Sequence, residues 1–416
     1  MAALECTTLA QSPKSFIKQT PWPKIVALME ACAVDASGIA AIDPDAKPEE
    51  RARQALVALA DAGQGARDEF LAIIDQVEQL NDDFGRRALR SVALSACMDA
   101  ETFDAIESLR AAAIDVYLSD RRCFDRALAS HYADRYRQGR SYSGYAFGGA
   151  ADVELRPGEE AKVRFEEETR RIFSEHDAFA RIHFDWFERE IIDPASGESH
   201  VCMQAAVFVE QPPRAETAFD DDGEIVTRSH RAVVEGAIVF DAAARQIEVV
   251  AKGGRPLQEK IARAFSETML ASDAPIEPVR ARRLELQRLA SGRPLALKPE
   301  DGVQSAEVER VTLINPTSSM SVTLAMRAGP TDDGSLRDRS SDAFEAHSPM
   351  GRIGWRVVAA SIRVIFEPEQ PGRRPKAVLV SLSAPNRSNL RDHTQRHQFI
   401  AGTLMERWGL YDPSDA

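Results

Sequence analysis

Two pairs of residues in this sequence have the types and spacing to do chemistry. His393 and His397 stand four apart in SNLRDHTQRHQFIAGTLMERWGL. On a helix that spacing stacks two imidazoles on one side, where they can chelate a divalent metal as in HExxH. The residue after the first histidine is Thr394, so the glutamate that acts as general base in HExxH is missing. On a helical wheel both histidines fall on the stripe of Leu390, Ile400, Leu404 and Trp408, which is also where two histidines at the packed end of a core helix would lie. His183 and Asp185 are two apart in RIHFDWFEREII, an alternating segment that reads as an edge or half-buried strand, so they share a face. A histidine beside a carboxylate can be an oriented base or a pair of metal ligands, and on a solvated face it is an ordinary polar pair. The acidic run Asp220-Asp221-Asp222-Gly223-Glu224 can attract a divalent cation, but it lacks the EF-hand spacing and reads as a solvated turn.

Other signatures fail on their neighbours. Ser143-Gly144-Tyr145-Ala146-Phe147-Gly148-Gly149 is glycine-rich but has neither the Walker Lys-Ser/Thr nor GxGxxG. Asp83-Phe84-Gly85 matches the kinase magnesium triplet with no Gly-rich loop or HRD before it. No GxSxG elbow is present, and no cysteine sits in a protease context. No nucleophile is identifiable, so binding is favoured over catalysis. No cofactor is expected, with a divalent metal at the histidine pairs as the alternative.

The stretch from Tyr117 to Gly149 holds five of the six tyrosines, interleaved with Arg121, Arg122, Arg126, Arg135, Arg137 and Arg140. Arginines can track phosphates while aromatic faces stack on bases, so Arg135, Tyr136, Arg137, Arg140, Tyr142 and Tyr145 form a candidate surface for single-stranded nucleic acid. Tyr and Arg are equally the anchors of protein interfaces. The third reading is a seam between domains, with the arginines paired to Asp120, Asp125 and Asp134.

This stretch divides the chain. Before it, amphipathic helices start at intervals of roughly 17 to 19 residues, the rhythm of antiparallel helical hairpins. Pro21 and Pro23 open one helix, and Lys47-Pro48-Glu49-Glu50 another. ARDEFLAIIDQVEQLN carries Phe70, Ile73, Ile74 and Val77 as one stripe. After the stretch, PGEEAKVRFEEETRRIFSEH reads as a helix, and HVCMQAAVFVE, HRAVVEGAIVFD and RQIEVVAK read as strands. The last two form a hairpin leading through Gly253-Gly254 and Pro256 into the helix LQEKIARAFSETML. VERVTLINP, SMSVTLAMRA, WRVVAASIRVIFEPE and KAVLVSLSAP are further strands, residues 328–352 a long exposed loop or a short helix within one, and the chain ends in the helix that carries Leu404 and Trp408 as core residues.

The expected fold is therefore α+β: an N-terminal all-helical domain, then antiparallel strands mixed with a few helices, then a long C-terminal helix. The expected domains are a flexible arm over 1–20, a helical domain over 21–140, a first α+β module over 141–275 and a second over 276–416. A net charge of −13 opposes non-specific binding of polyanions by the whole surface, so any nucleic acid must be met by a locally basic patch. Of 52 basic residues only 9 are lysine, a bias that fits a GC-rich genome. The five scattered cysteines lack CxxC spacing and point to a reducing compartment. No apolar run approaches the roughly 20 residues that span a bilayer. MAALECTTLAQSPKSF lacks a basic region followed by an apolar core, so no signal peptide is expected. These features predict a soluble cytoplasmic protein of binding or regulatory function, with a protein partner, no membrane, and nucleic acid as a further ligand. The alternative is a metal-dependent hydrolase built on His183, Asp185, His393 and His397.

Overall fold

The computed structural model describes residues 12–96, 102–103, 105–106, 108–137, 141–148, 153–156, 158–175, 180–192, 199–219, 223–271, 275–279, 282–326, 335–344, 347–368, 374–390, 393 and 395–412. The chain is 45% helical and 29% strand, with helices leading and antiparallel sheets following, which makes it α+β. Residues 1–193 with 198–279 form one compact unit, and 194–197 with 280–416 a second.

The first described helix falls within the expected arm over 1–20. Pro13–Gln19 is helix α1, opened by the Ser12 side chain accepting from the Ser15 amide and by Pro13 in the first turn, and its Phe16 and Ile17 are buried. Helices α2 (Trp22–Ala31), α3 (Ala36–Ala40), α4 (Pro48–Asp61) and α5 (Gln64–Gln79) follow. The stripe Phe70, Ile73, Ile74 and Val77 of α5 is buried throughout. Next come α6 (Asp83–Ala96), α7 (Leu109–Ser119) and α8 (Arg121–Arg135). The side chains of Ser108 and Asp120 cap α7 and α8.

Strand β1 (Tyr142–Phe147), helix α9 (Glu159–Ser174), strands β2 (Ile182–Ile192), β3 (Ser199–Glu210), β4 (Arg214–Phe219), β5 (Ile225–His230), β6 (Val233–Asp241) and β7 (Gln246–Val250), helix α10 (Arg255–Met269) and strand β8 (Ile276–Pro278) complete this unit. Six of these strands make one antiparallel sheet in the order β2-β3-β6-β7-β1-β8, and β4 and β5 pair separately. The glycine-rich YSGYAF is thus a strand, filling the place between β7 and β8. Alternation along the strands gives the sheet two apolar faces. Ala205, Val207, Ile238, Phe240 and Val249 face α9 and α10, around Phe165 and Phe265. Cys202, Ala206, Phe187, Ala237 and Val239 face α8, packing on Ala129 and Ala133.

In the second unit, β9 (Val303–Asn315), β10 (Met320–Ala325), β11 (Arg356–Phe366), β12 (Lys376–Ser383) and β13 (Arg387–Ser388) form an antiparallel sheet in the order β10-β9-β11-β12-β13. Within 328–352, Leu336–Phe344 forms helix α11, which buries Leu336 and Ser340. The last helix, α12, is Gln395–Arg407, so it starts after His393 and is shorter than the sequence pattern implies. Asn389 follows β13. Its side-chain oxygen accepts from the Ser381 amide at 2.7 Å and its amide donates to the Leu379 carbonyl at 2.9 Å, bracing β12. Leu404 is fully buried, but Trp408 is only half-buried, because its indole N–H reaches out to the Ala296 carbonyl at 2.9 Å. No helix among the described residues is long and apolar enough to cross a membrane.

Candidate functional site

The candidate arginines and tyrosines cluster where α8 crosses the first sheet, and most are engaged internally. Arg137 reaches Glu248 on β7 at 2.8 Å, and Tyr142 donates its hydroxyl to the same carboxylate at 3.0 Å. Tyr145 is buried on the opposite face of the sheet. Arg135 reaches Asp82 at 3.3 Å from an exposed position, and Tyr136 is exposed with its ring 4.5 Å from that of Tyr132. Arg140 lies outside the described residues.

Beneath α8 the seam is ionic. Arg189, a β2 residue 4% exposed, donates to Asp134 of α8 at 2.9 Å. Burial would raise the Asp134 carboxyl, yet the guanidinium groups of Arg189, Arg137 and Arg87 hold it down at about 2. Burial works against the Arg137 charge too, and Glu248 and Asp134 more than compensate. Gln204 of β3 donates to the Ala129 carbonyl at 3.0 Å, and Tyr132 donates to the Glu235 carbonyl at 2.8 Å. This arrangement clamps a helix to a sheet.

The members of the histidine pairs meet other side chains. Arg126 holds both Asp185 oxygens, at 2.9 and 3.0 Å, and Arg122 adds a third bond at 3.0 Å. Burial pushes the Asp185 carboxyl up, and these arginines pull it below its ordinary value. His183 instead stacks on Phe208, ring centroids 6.2 Å apart. His397 is buried on α12 with its ring 4.2 Å from Phe366. His393 precedes that helix, so the helical spacing required for joint metal ligation does not arise. Among the described residues no three His, Cys, Asp or Glu side chains are grouped to hold a metal. Asp220, Asp221 and Asp222 lie outside them, between β4 and β5.

The feature with the form of a ligand site is a cavity of about 310 Å³ in the first unit, between the α9–α10 layer and the ends of β3, β6 and β7. Val207, Val209, Ile238, Val249, Phe173 and Ile261 give it apolar walls. Gly236 opens it. The residue stands opposite Val207 in the β3–β6 ladder, and a Cβ there would come within 2.9 Å of the Val250 carbonyl. Thr169 of α9 also lines the cavity, is fully buried, and its hydroxyl has no hydrogen-bond partner among the described residues. A helical threonine ordinarily bonds back to the preceding turn, as Thr268 does to the Ala264 carbonyl at 2.6 Å. An unsatisfied buried hydroxyl costs roughly 1–3 kcal/mol, so this one calls for a partner. At the outer end stand Gln211, Pro212, Lys252 and Gly253. Glu235 meets the cavity through its backbone, since its side chain alternates to the α8 face. Burial there lifts its carboxyl to about 7.

Neither Thr169 nor Lys252 stands out in the sequence. The available signals are Gly236 within an apolar strand, which marks a close backbone approach, and Gly253-Gly254 ahead of a helix. No protein-family model matches the chain, and no curated protein matches it.

Proposed function

We propose that the chain is a binding or regulatory protein whose first unit receives a small apolar or amphipathic molecule in the cavity between α9, α10 and the sheet. The observation that carries this reading is the buried Thr169 hydroxyl, without a partner among the described residues, in a mostly apolar cavity. Ligand pockets have this composition: mostly apolar walls with a few polar groups that fix orientation. A small molecule is preferred to nucleic acid because Arg137 and Tyr142 are tied to Glu248, and Tyr145 is buried in the core.

The test uses the neutral dye phenylnaphthylamine, which fluoresces in apolar surroundings. Native protein should bind it at one site per chain. Val207→Phe should abolish that binding by projecting a ring over Gly236, while the circular dichroism spectrum stays that of the wild type. A native protein that leaves the dye dark, or a folded Val207→Phe variant that binds it equally well, refutes the reading.

A further inference from the structure

Resting on that reading, we infer that the cavity's ligand is a medium-length amphipathic monocarboxylate with a second oxygen, hydroxyl or keto, toward the far end of its apolar body. The outer end supplies the site for the carboxylate. There β7 passes through Lys252 into the turn Gly253-Gly254 and then into α10, a helix of 15 residues. Gly253 and Gly254 have φ of 131° and 79°, and a Cβ on Gly253 would strike the Leu257 side chain at 2.3 Å, so the turn lies tight against a cavity wall. The Gly254 cap supplies no side-chain acceptor to the first turn of α10. Pro256 has no N–H, so the amides of Arg255 and Leu257, with the positive end of the helix dipole, stand ready for an anion. Lys252 is exposed and has no ion pair among the described residues.

The inner wall supplies the second determinant. Thr169 lies on α9, away from this turn in sequence and element, and its buried hydroxyl can donate to or accept from one oxygen. Between the two polar ends the lining is mostly Val, Ile, Leu, Phe and Ala. A carboxylate at the mouth, an apolar body and a distal oxygen satisfy all three parts at once. A wholly apolar ligand would leave Thr169 unsatisfied and Lys252 unused. The cavity, at about 310 Å³, is at the small end of ligand pockets, which favours a medium chain over a long one.

The experiment titrates full-length protein with octanoate, ω-hydroxyoctanoate and octanol by calorimetry. The hydroxy acid should bind best, octanoate roughly five- to tenfold more weakly, and octanol more weakly again. Thr169→Val should bring the hydroxy acid down to the affinity of octanoate and leave octanoate unchanged, which also certifies the variant's fold. Lys252→Gln should reduce the preference of octanoate over octanol several-fold and flatten its salt dependence. Equal binding of octanoate and octanol, or a Thr169→Val variant that still prefers the hydroxy acid, overturns the inference. If the neutral dye binds and Val207→Phe blocks it while octanoate fails, the ligand class is wrong and the cavity reading stands. If the dye fails as well, both fall.

Discussion

Replacing Asp134 by Asn tests whether α8 is held to the sheet by charge. The amide keeps the size of the carboxylate and one acceptor oxygen but leaves the buried Arg189 guanidinium, 2.9 Å away, without its counter-charge. The carboxyl lies at about 2 against an ordinary 3.8. At about 1.4 kcal/mol per pH unit, that shift corresponds to about 2–3 kcal/mol of stability. Removing one partner of a buried pair typically costs about 3–5 kcal/mol, so Asp134→Asn should lose about 2–4 kcal/mol at pH 7 in urea unfolding of the first unit. Because the folded value is depressed, the contribution is complete above 3.8 and disappears as pH falls through about 2. The gap between wild type and variant should therefore be about half as large at pH 3 as at pH 7. Asp134→Leu combined with Arg189→Met removes both charges and should recover most of the loss, since apolar replacement of a buried pair is often neutral. A single variant within about 0.5 kcal/mol of wild type at pH 7, or a gap that does not change down to pH 3, would show that packing and not charge holds the seam.

Glu235→Gln should act in the opposite sense. Burial raises its folded value to about 7 from 4.5, so the native state is penalised as pH rises through 7. The variant should gain on the order of 2–3 kcal/mol over wild type at pH 8 and nothing below about pH 4.5, as read from paired urea melts. Phe165→Ala should cost about 3–5 kcal/mol, because this fully buried ring meets Phe184, Trp186 and Phe265 edge-on at 5.5–6.3 Å. A melting temperature unchanged from wild type would disprove the α9 packing. Trp408→Phe should cost only about 1 kcal/mol, the net value of the indole bond to Ala296, because the ring is half-buried; a loss above about 3 kcal/mol would mean the indole is a core residue after all.

The elements that the sequence specified are those whose signal is local. The stripe of Phe70, Ile73, Ile74 and Val77 encodes α5, and the run from Val233 through Gly253-Gly254 to Met269 encodes β6, β7 and α10, since periods of 3.6 and 2 need only nearby residues to be read. At His393 the period alone set the helix start too early, since the helix begins at Gln395.

Tertiary structure decided everything that joins distant residues. Tyr142–Phe147 has the glycines of a loop, yet it becomes a strand because β7 offers partners from Gln246 to Val250 about a hundred positions later. Asp134 meets Arg189 across 55 positions, and Arg137 meets Glu248 on β7, pairings that no local pattern relates. The cavity is less legible still, because it is the space that Gly236, Val207, Thr169 and Ile261 leave unfilled. Side-chain periodicity says which face of an element is apolar. Where two such faces fail to close on each other depends on register, crossing and the volumes of residues that no local pattern relates.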